Sequence, residues 1–291
     1  PDKLYERALY IGIAFSSILY GMSSSILLLY RAHSSLTDRG SSRNCASWRA
    51  RLFNISYVVV MFVFLTVSYV ADAYMGQLMW IEHRDFQGGP YPYYLANSTL
   101  WINVIGSATD ILANVLCDAY LLYRCYIIWE SRLSIVAFPA LVYLASFALS
   151  ITTLVESALP NSSAFVQQTV NFATPWVSLS VVLNIMLTGL ISYRILRARY
   201  SMREAFDGLE APAKDIYTSA VAILVEAELP FTILGVVNAV NEGKNTYVAS
   251  AWCFIWGSFS VISPLLIILR VFMGKGRTCE TSTQLTQSIS F

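Results

Sequence analysis

Asp110, Asn114 and Asp118 recur every four residues within an otherwise apolar stretch, so on a helix they stack along one face. Glu226 and Glu228 interrupt a second apolar stretch near its middle, and Asn184 a third. Asp72 and Glu156 lie toward the ends of two more. Ionisable groups at bilayer depth are costly and mark functional sites by default. With no lysine or arginine deep in these stretches, the acids can hold protons, share hydrogen bonds with Tyr, Asn and Ser, or bind a cationic group or ion. The plainer alternative is that they join helices by hydrogen bonds alone. Asp110, Asn114, Asp118, Asn184 and Glu226 are therefore the candidate ligand-binding residues, with Asp110 the best counter-ion for a cation.

Pro230 follows Glu226 by four residues. Its ring removes the bond to the carbonyl four residues back, which frees the Glu226 carbonyl beside its own carboxylate. Pro264 does the same for Ser260. Both prolines are candidate hinges.

The elements that must position these groups are long apolar runs. About 20 such residues cross a bilayer core as a helix. Seven runs meet this length: Ala8–Tyr30, Leu52–Met75, Leu100–Trp129, Leu133–Glu156, Phe172–Ile195, Asp215–Val240 and Tyr247–Phe272. Hydrophobic residues make up 56% of the chain and charged ones 13%, about half the charge of a soluble domain. The expected fold is an all-α polytopic bundle of seven transmembrane helices over residues 1–275, followed by a mobile Ser/Thr-rich tail over 276–291.

Basic residues fall in alternate connections. The first, third and fifth connections and the tail, with the run ends that adjoin them, carry 15 of the 19 Lys and Arg residues; the exceptions are Lys3, Arg7, Arg84 and Lys244. Positive charge collects on the cytoplasmic side, which puts the N-terminus outside and the C-terminus in the cytoplasm, in a multi-pass protein of the plasma membrane. The sequons at Asn97 and Asn161 both lie in connections assigned outside, where glycosylation is possible. A third, at Asn54, sits inside a span.

Other classes fall away. The basic residues form an orientation pattern, not a nucleic-acid patch, and net charge is only +1. With two histidines and no CxxC, zinc and haem sites are not expected, and no cofactor is implied. The seventh span lacks lysine, so a retinal Schiff base is excluded. No P-loop, dinucleotide fingerprint or hydrolase elbow occurs. The first apolar run is too long for a signal-peptide core and reads as a true span.

The stretch Asp118-Ala119-Tyr120-Leu121-Leu122-Tyr123-Arg124-Cys125-Tyr126-Ile127-Ile128-Trp129 resembles the signature of a large family of uncharacterised seven-helix integral membrane proteins of basidiomycete fungi. Gly88-Gly89-Pro90, Asn184 through Ile195, Val225-Glu226 and Ser263 through Val271 match in the same order. The chain departs from the family at Glu228-Leu229-Pro230, where small residues are expected. The resemblance implies seven helices and a receptor-like topology, without an established activity.

Four functions remain open. A receptor-like protein would sense a small ligand from outside and signal to a cytoplasmic G protein-like partner. A transporter or channel would move protons or cations. A membrane-embedded lipid or terpenoid enzyme would use Asp118 or Glu226 as general acid. A structural protein would self-assemble as a homo-oligomer. The lipid bilayer is the partner common to all four.

Overall fold

In a bilayer, an apolar segment must satisfy its own backbone hydrogen bonds, which leaves helices and closed barrels. The long apolar runs here take the helical solution. The computed structural model describes the backbone of residues 2–40, 48–158, 162–205, 213–244 and 246–289. Side-chain surroundings are described for 3–32, 52–158, 172–198, 200, 221–222, 224–244 and 246–270. The helices are α1 (Asp2–Gly40), α2 (Trp48–Gln77), α3 (Pro90–Ala96), α4 (Trp101–Ile128), α5 (Leu133–Ala158), α6 (Ser162–Ala205), α7 (Ala213–Gly243) and α8 (Ala249–Ile289). No strand occurs among the described residues. All but the short α3 are long and apolar enough to cross a membrane, so the chain is a multi-pass, all-helical membrane protein.

The spans close into a ring in which each helix packs on the next and α8 returns to α1. The fourth helix also touches α6 and α8 across the ring. Burial follows: 61% of the α8 span and 44% of the α4 span are buried, against 22% for α2 and for α5. The polar face of α4 therefore points into protein, which is where costly side chains can find partners.

Lipid tails do not drive helices together, so close approach depends on small residues. A Cβ on Gly12 would lie 2.8 Å from Phe254 Cδ2 and 3.0 Å from the Ala251 Cα, so glycine is what lets α1 and α8 meet. A Cβ on Gly235 would lie 2.4 Å from Val181 Cγ2 and 2.8 Å from Trp256 Nε1. That second contact brings α7 against both α6 and α8.

One end of the bundle is aromatic and the other arginine-rich. At the aromatic end the chain between α2 and α4 is more ordered than its turn-rich sequence implies. A π-helical turn, Leu78–Glu82, extends α2. Gly88 and Gly89, at φ of 95° and 96°, then turn the chain into α3, with Pro90 in its first turn as helix N-termini favour. Tyr91 stacks on Tyr5 at 4.5 Å, and Tyr247 meets Tyr5 edge-on at 4.9 Å. His83 and Phe86 both pack on Tyr93. The segment thus forms a cap over α1, α2 and α8.

Two other connections also differ from expectation. Helix α1 continues to Gly40 where the polar sequence from Arg31 suggests a loop. The backbone of α8 runs to Ile289, across the Ser/Thr-rich segment. Pro230 and Pro264 lie inside continuous helices, as do Pro139 and Pro175. The sequon at Asn161 lies outside the described residues.

Candidate functional site

The polar face of α4 builds two carboxyl stations. Trp101 starts the helix at the aromatic end, so at 1.5 Å per residue Asp110 lies about 13 Å in and Asp118 about 25 Å in.

The outer station joins α4 to α2. Asp110 faces Ser68 and is within electrostatic reach of Asp72. The backbone of α8 comes close at Gly257, where a Cβ would lie 3.4 Å from Asp110 Oδ2. Above the pair, Asp72, Tyr94 and Asn103 line a small cavity of about 20 Å³ together with the apolar Leu9, Ile13 and Phe254. That space holds about one water. Burial, reinforced by the negative charge of Asp72, pushes the Tyr94 hydroxyl up to about 12. It therefore stays a neutral donor beside the carboxyl pair.

The inner station joins α4 to α6. Asn184 Nδ2 donates to Asp118 Oδ1 at 2.8 Å, and Ser180 Oγ donates to Asp118 Oδ2 at 2.9 Å. Ser180 Oγ also lies 3.2 Å from Asn114 Oδ1, and Asn184 Nδ2 makes a second bond to the Ser180 carbonyl at 3.0 Å. Asn114, Asp118, Ser180 and Asn184 are all essentially inaccessible. On α7, Glu228 is 2% exposed and neither of its carboxyl oxygens has a hydrogen-bond partner among the described residues. It lies within electrostatic reach of Asp118, Cys117, Tyr57 and Arg124.

Of the candidates read from sequence, Asn114, Asp118 and Asn184 meet at the inner station. Asp110 belongs to the outer one. Glu226 meets neither: its side chain is 67% exposed and pairs with Arg270 of α8. The expectation that Glu226 faces the bundle interior is thus corrected. Two residues along a helix turn the side chain by about 200°, so Glu226 and Glu228 cannot both face inward, and packing of the 224, 228, 231, 235 and 238 stripe selects Glu228. Asn97 caps α3, its Nδ2 donating to the Tyr93 carbonyl at 3.0 Å.

Ser68, Tyr94 and Asn103 at the outer station and Ser180 at the inner one have no counterpart among the sequence candidates. Ser180 lies four residues before Asn184, the same stacking rule that exposed the α4 triad. Asn238 on α7 is fully buried with both amide atoms unpartnered among the described residues.

At the arginine-rich end, Arg194 Nη2 pairs with Glu130 Oε1 at 2.6 Å, linking α6 to the turn after α4. The guanidinium of Arg124 lies over the Tyr120 ring, 4.8 Å from its centroid. Among the described residues no group of three or more His, Cys, Asp or Glu converges as a metal centre.

The outer station sets two buried carboxyls beside a water-sized cavity, and the inner one ties α4 to α6 around a buried carboxyl. Comparison with protein-family profiles, with curated proteins and with solved structures finds no match for this chain.

Proposed function

We propose that the chain is a receptor-like seven-helix protein of the plasma membrane that senses a small cationic ligand. On this reading it belongs with the basidiomycete proteins it resembles. The aromatic end faces outside and the arginine-rich end faces the cytoplasm, following the charge bias. A glycan on Asn97 fits this orientation and is compatible with its capping bond, since a glycosylated amide keeps one N–H.

The observation that carries the reading is the pairing of Asp72 and Asp110 under the α3 cap, beside a cavity that also holds Tyr94 and Asn103. A carboxyl pair beneath aromatic rings suits an ammonium group. The pair joins α2 to α4, and α4 is the helix that touches α2, α5, α6 and α8, so a ligand there acts on most of the bundle. Arg124, Glu130 and Arg194 at the far end are where a cytoplasmic partner of the G protein type would read the change.

The test is ligand-stimulated nucleotide exchange on Gα subunits by the full chain in lipid nanodiscs, using a panel of small amines. Stimulation that is lost in Asp110→Asn, in protein that still melts cooperatively, supports the reading. Failure of every amine with every endogenous Gα overturns it.

One observation favours a second reading, a proton- or cation-linked transporter: a second acid pair, Asp118 of α4 and Glu228 of α7, lies deeper in the bundle. Cation flux in proteoliposomes, abolished by Glu228→Gln, would decide for transport.

A further inference from the structure

Glu228 is unusual because nothing completes it. Both carboxyl oxygens lack a hydrogen-bond partner among the described residues, in a side chain that is 2% exposed. Ser263 of α8 faces it, is itself fully buried, and has its hydroxyl unpartnered. No hydrogen bond of ordinary geometry closes between the two. Asp118, the neighbouring acid, leaves two more valences open around it: Asn184 Oδ1 and Asn114 Nδ2. Glu228 and Ser263 thus present unfilled oxygens from α7 and α8 in one deep region, within electrostatic reach of Asp118.

Burying an unpaired carboxylate costs far more than burying an amide, so the region calls for a partner. The charged and titratable groups facing Glu228 are Tyr57 from α2 and Cys117, Asp118 and Arg124 from α4. Only Arg124 is cationic, and its guanidinium is engaged over the Tyr120 ring. The Tyr57 hydroxyl is directed at the Leu116 carbonyl, 3.4 Å away. Protonating Glu228 would remove its charge and supply one O–H donor, which the Ser263 hydroxyl can complement, so a proton is the occupant that competes with an ion here. Water would supply donors and leave the charge.

A cation answers both needs, because one ion takes several oxygens at once. The ligands presented are oxygens, the carboxylate of Glu228 and the hydroxyl of Ser263, with Asp118 adding negative potential. Oxygen ligands select hard cations. Only two carboxyls contribute, and Asp118 already accepts a bond at each oxygen, which is little charge for a divalent ion.

We propose that the region between Glu228, Ser263 and Asp118 binds a small monovalent cation, with sodium as its probe. The site is distinct from the Asp72–Asp110 station and stands whether or not the chain is a receptor.

The experiment is thermal unfolding of the full chain in zwitterionic nanodiscs while choline chloride is exchanged for sodium chloride at constant ionic strength and pH. Binding to the folded state raises Tm saturably. The expected result is a saturable rise in sodium, smaller in potassium, that disappears in Glu228→Gln and persists in Asp72→Asn. Should Glu228→Gln fail to fold, saturable broadening of the sodium-23 resonance by the wild-type chain, competed by lithium, makes the same test. Identical melting in sodium and choline with no saturable broadening overturns the proposal. A larger shift with calcium or magnesium overturns the monovalent assignment. Stability that tracks pH alone assigns the region to a proton.

Discussion

Asn184 Nδ2 donates to Asp118 Oδ1 at 2.8 Å across the α4–α6 contact, and a second bond to the Ser180 carbonyl fixes the amide in place. The pair joins two helices that sequence order separates by α5. Its partner bond, from Ser180, leaves each Asp118 oxygen with one donor.

Replacing Asn184 by leucine leaves Asp118 Oδ1 without its donor. Side-chain hydrogen bonds between membrane helices are worth about 0.6 kcal/mol on average, while orphaning a buried acceptor costs about 1–3 kcal/mol. Asn184→Leu is expected to destabilise the bundle toward the upper range. Asp118→Leu/Asn184→Leu, which removes both partners, should cost less than the sum of the single changes. Reversible unfolding in mixed micelles measures the cycle.

Gly235 and Gly189 make a matched pair. Alanine at 235 would drive a methyl to 2.4 Å from Val181 Cγ2, whereas nothing lies within 4 Å of a Cβ at 189. Gly235→Ala is expected to cost about 1–3 kcal/mol. Gly189→Ala should gain up to about 1 kcal/mol from helix propensity. Melting temperatures of the two variants should move in opposite directions.

Glu130 and Ser131 occupy left-handed backbone, with φ of 54° and 63°, where a β-carbon costs about 1–2 kcal/mol. They close the end of α4, the Ser131 N–H reaching the Tyr126 carbonyl at 3.1 Å. Ser131→Gly should therefore stabilise the protein by about 1 kcal/mol. Glu130→Gly relieves the same strain but loses the Arg194 ion pair, worth about 0.2–1 kcal/mol when as exposed as this one. Its net effect should be smaller than that of Ser131→Gly in the same denaturation assay.

Tyr94 gives a pH signature. Its hydroxyl is shifted up, to about 12 from an unfolded value near 10, so the folded state holds the proton more tightly. Its contribution is complete below about pH 10 and is lost as pH rises toward 12. Tyr94→Phe should flatten that part of the stability–pH curve and leave the neutral region unchanged, as read by thermal melts from pH 8 upward.

The apolar runs made the spans legible because length and hydropathy act alone at that scale. The third run, Leu100–Trp129, matches α4 within one residue at each end. The stacking of Asp110, Asn114 and Asp118 was equally legible, since a four-residue repeat fixes a face before any partner is known. On α7 the four-residue rule does not distinguish Glu226 from Glu228. Both are flanked by apolar residues, so no polar side marked the outward face. Pro230 favours Glu226 only through a freed carbonyl, which is a local effect, whereas orientation is set by packing of Phe231 and Gly235 on α6 and α8. Asn97 is legible as a sequon but not as the cap of α3, because α3 packs on Tyr5 from a distant part of the chain.

The seam between α1 and α8 has a consequence for biogenesis. Ser16 and Ser258, whose hydroxyls lie 3.3 Å apart, are separated by 242 residues. At about 5–20 residues per second of synthesis, the first span waits roughly ten to fifty seconds for the partner that shields its glycine-notched flank. During that interval Gly12 and Ser16 face lipid or a translocation-associated chaperone, and the nascent bundle is an open crescent. Ring closure is then the final assembly step, and a ribosome stall before α8 would leave the crescent open for degradation.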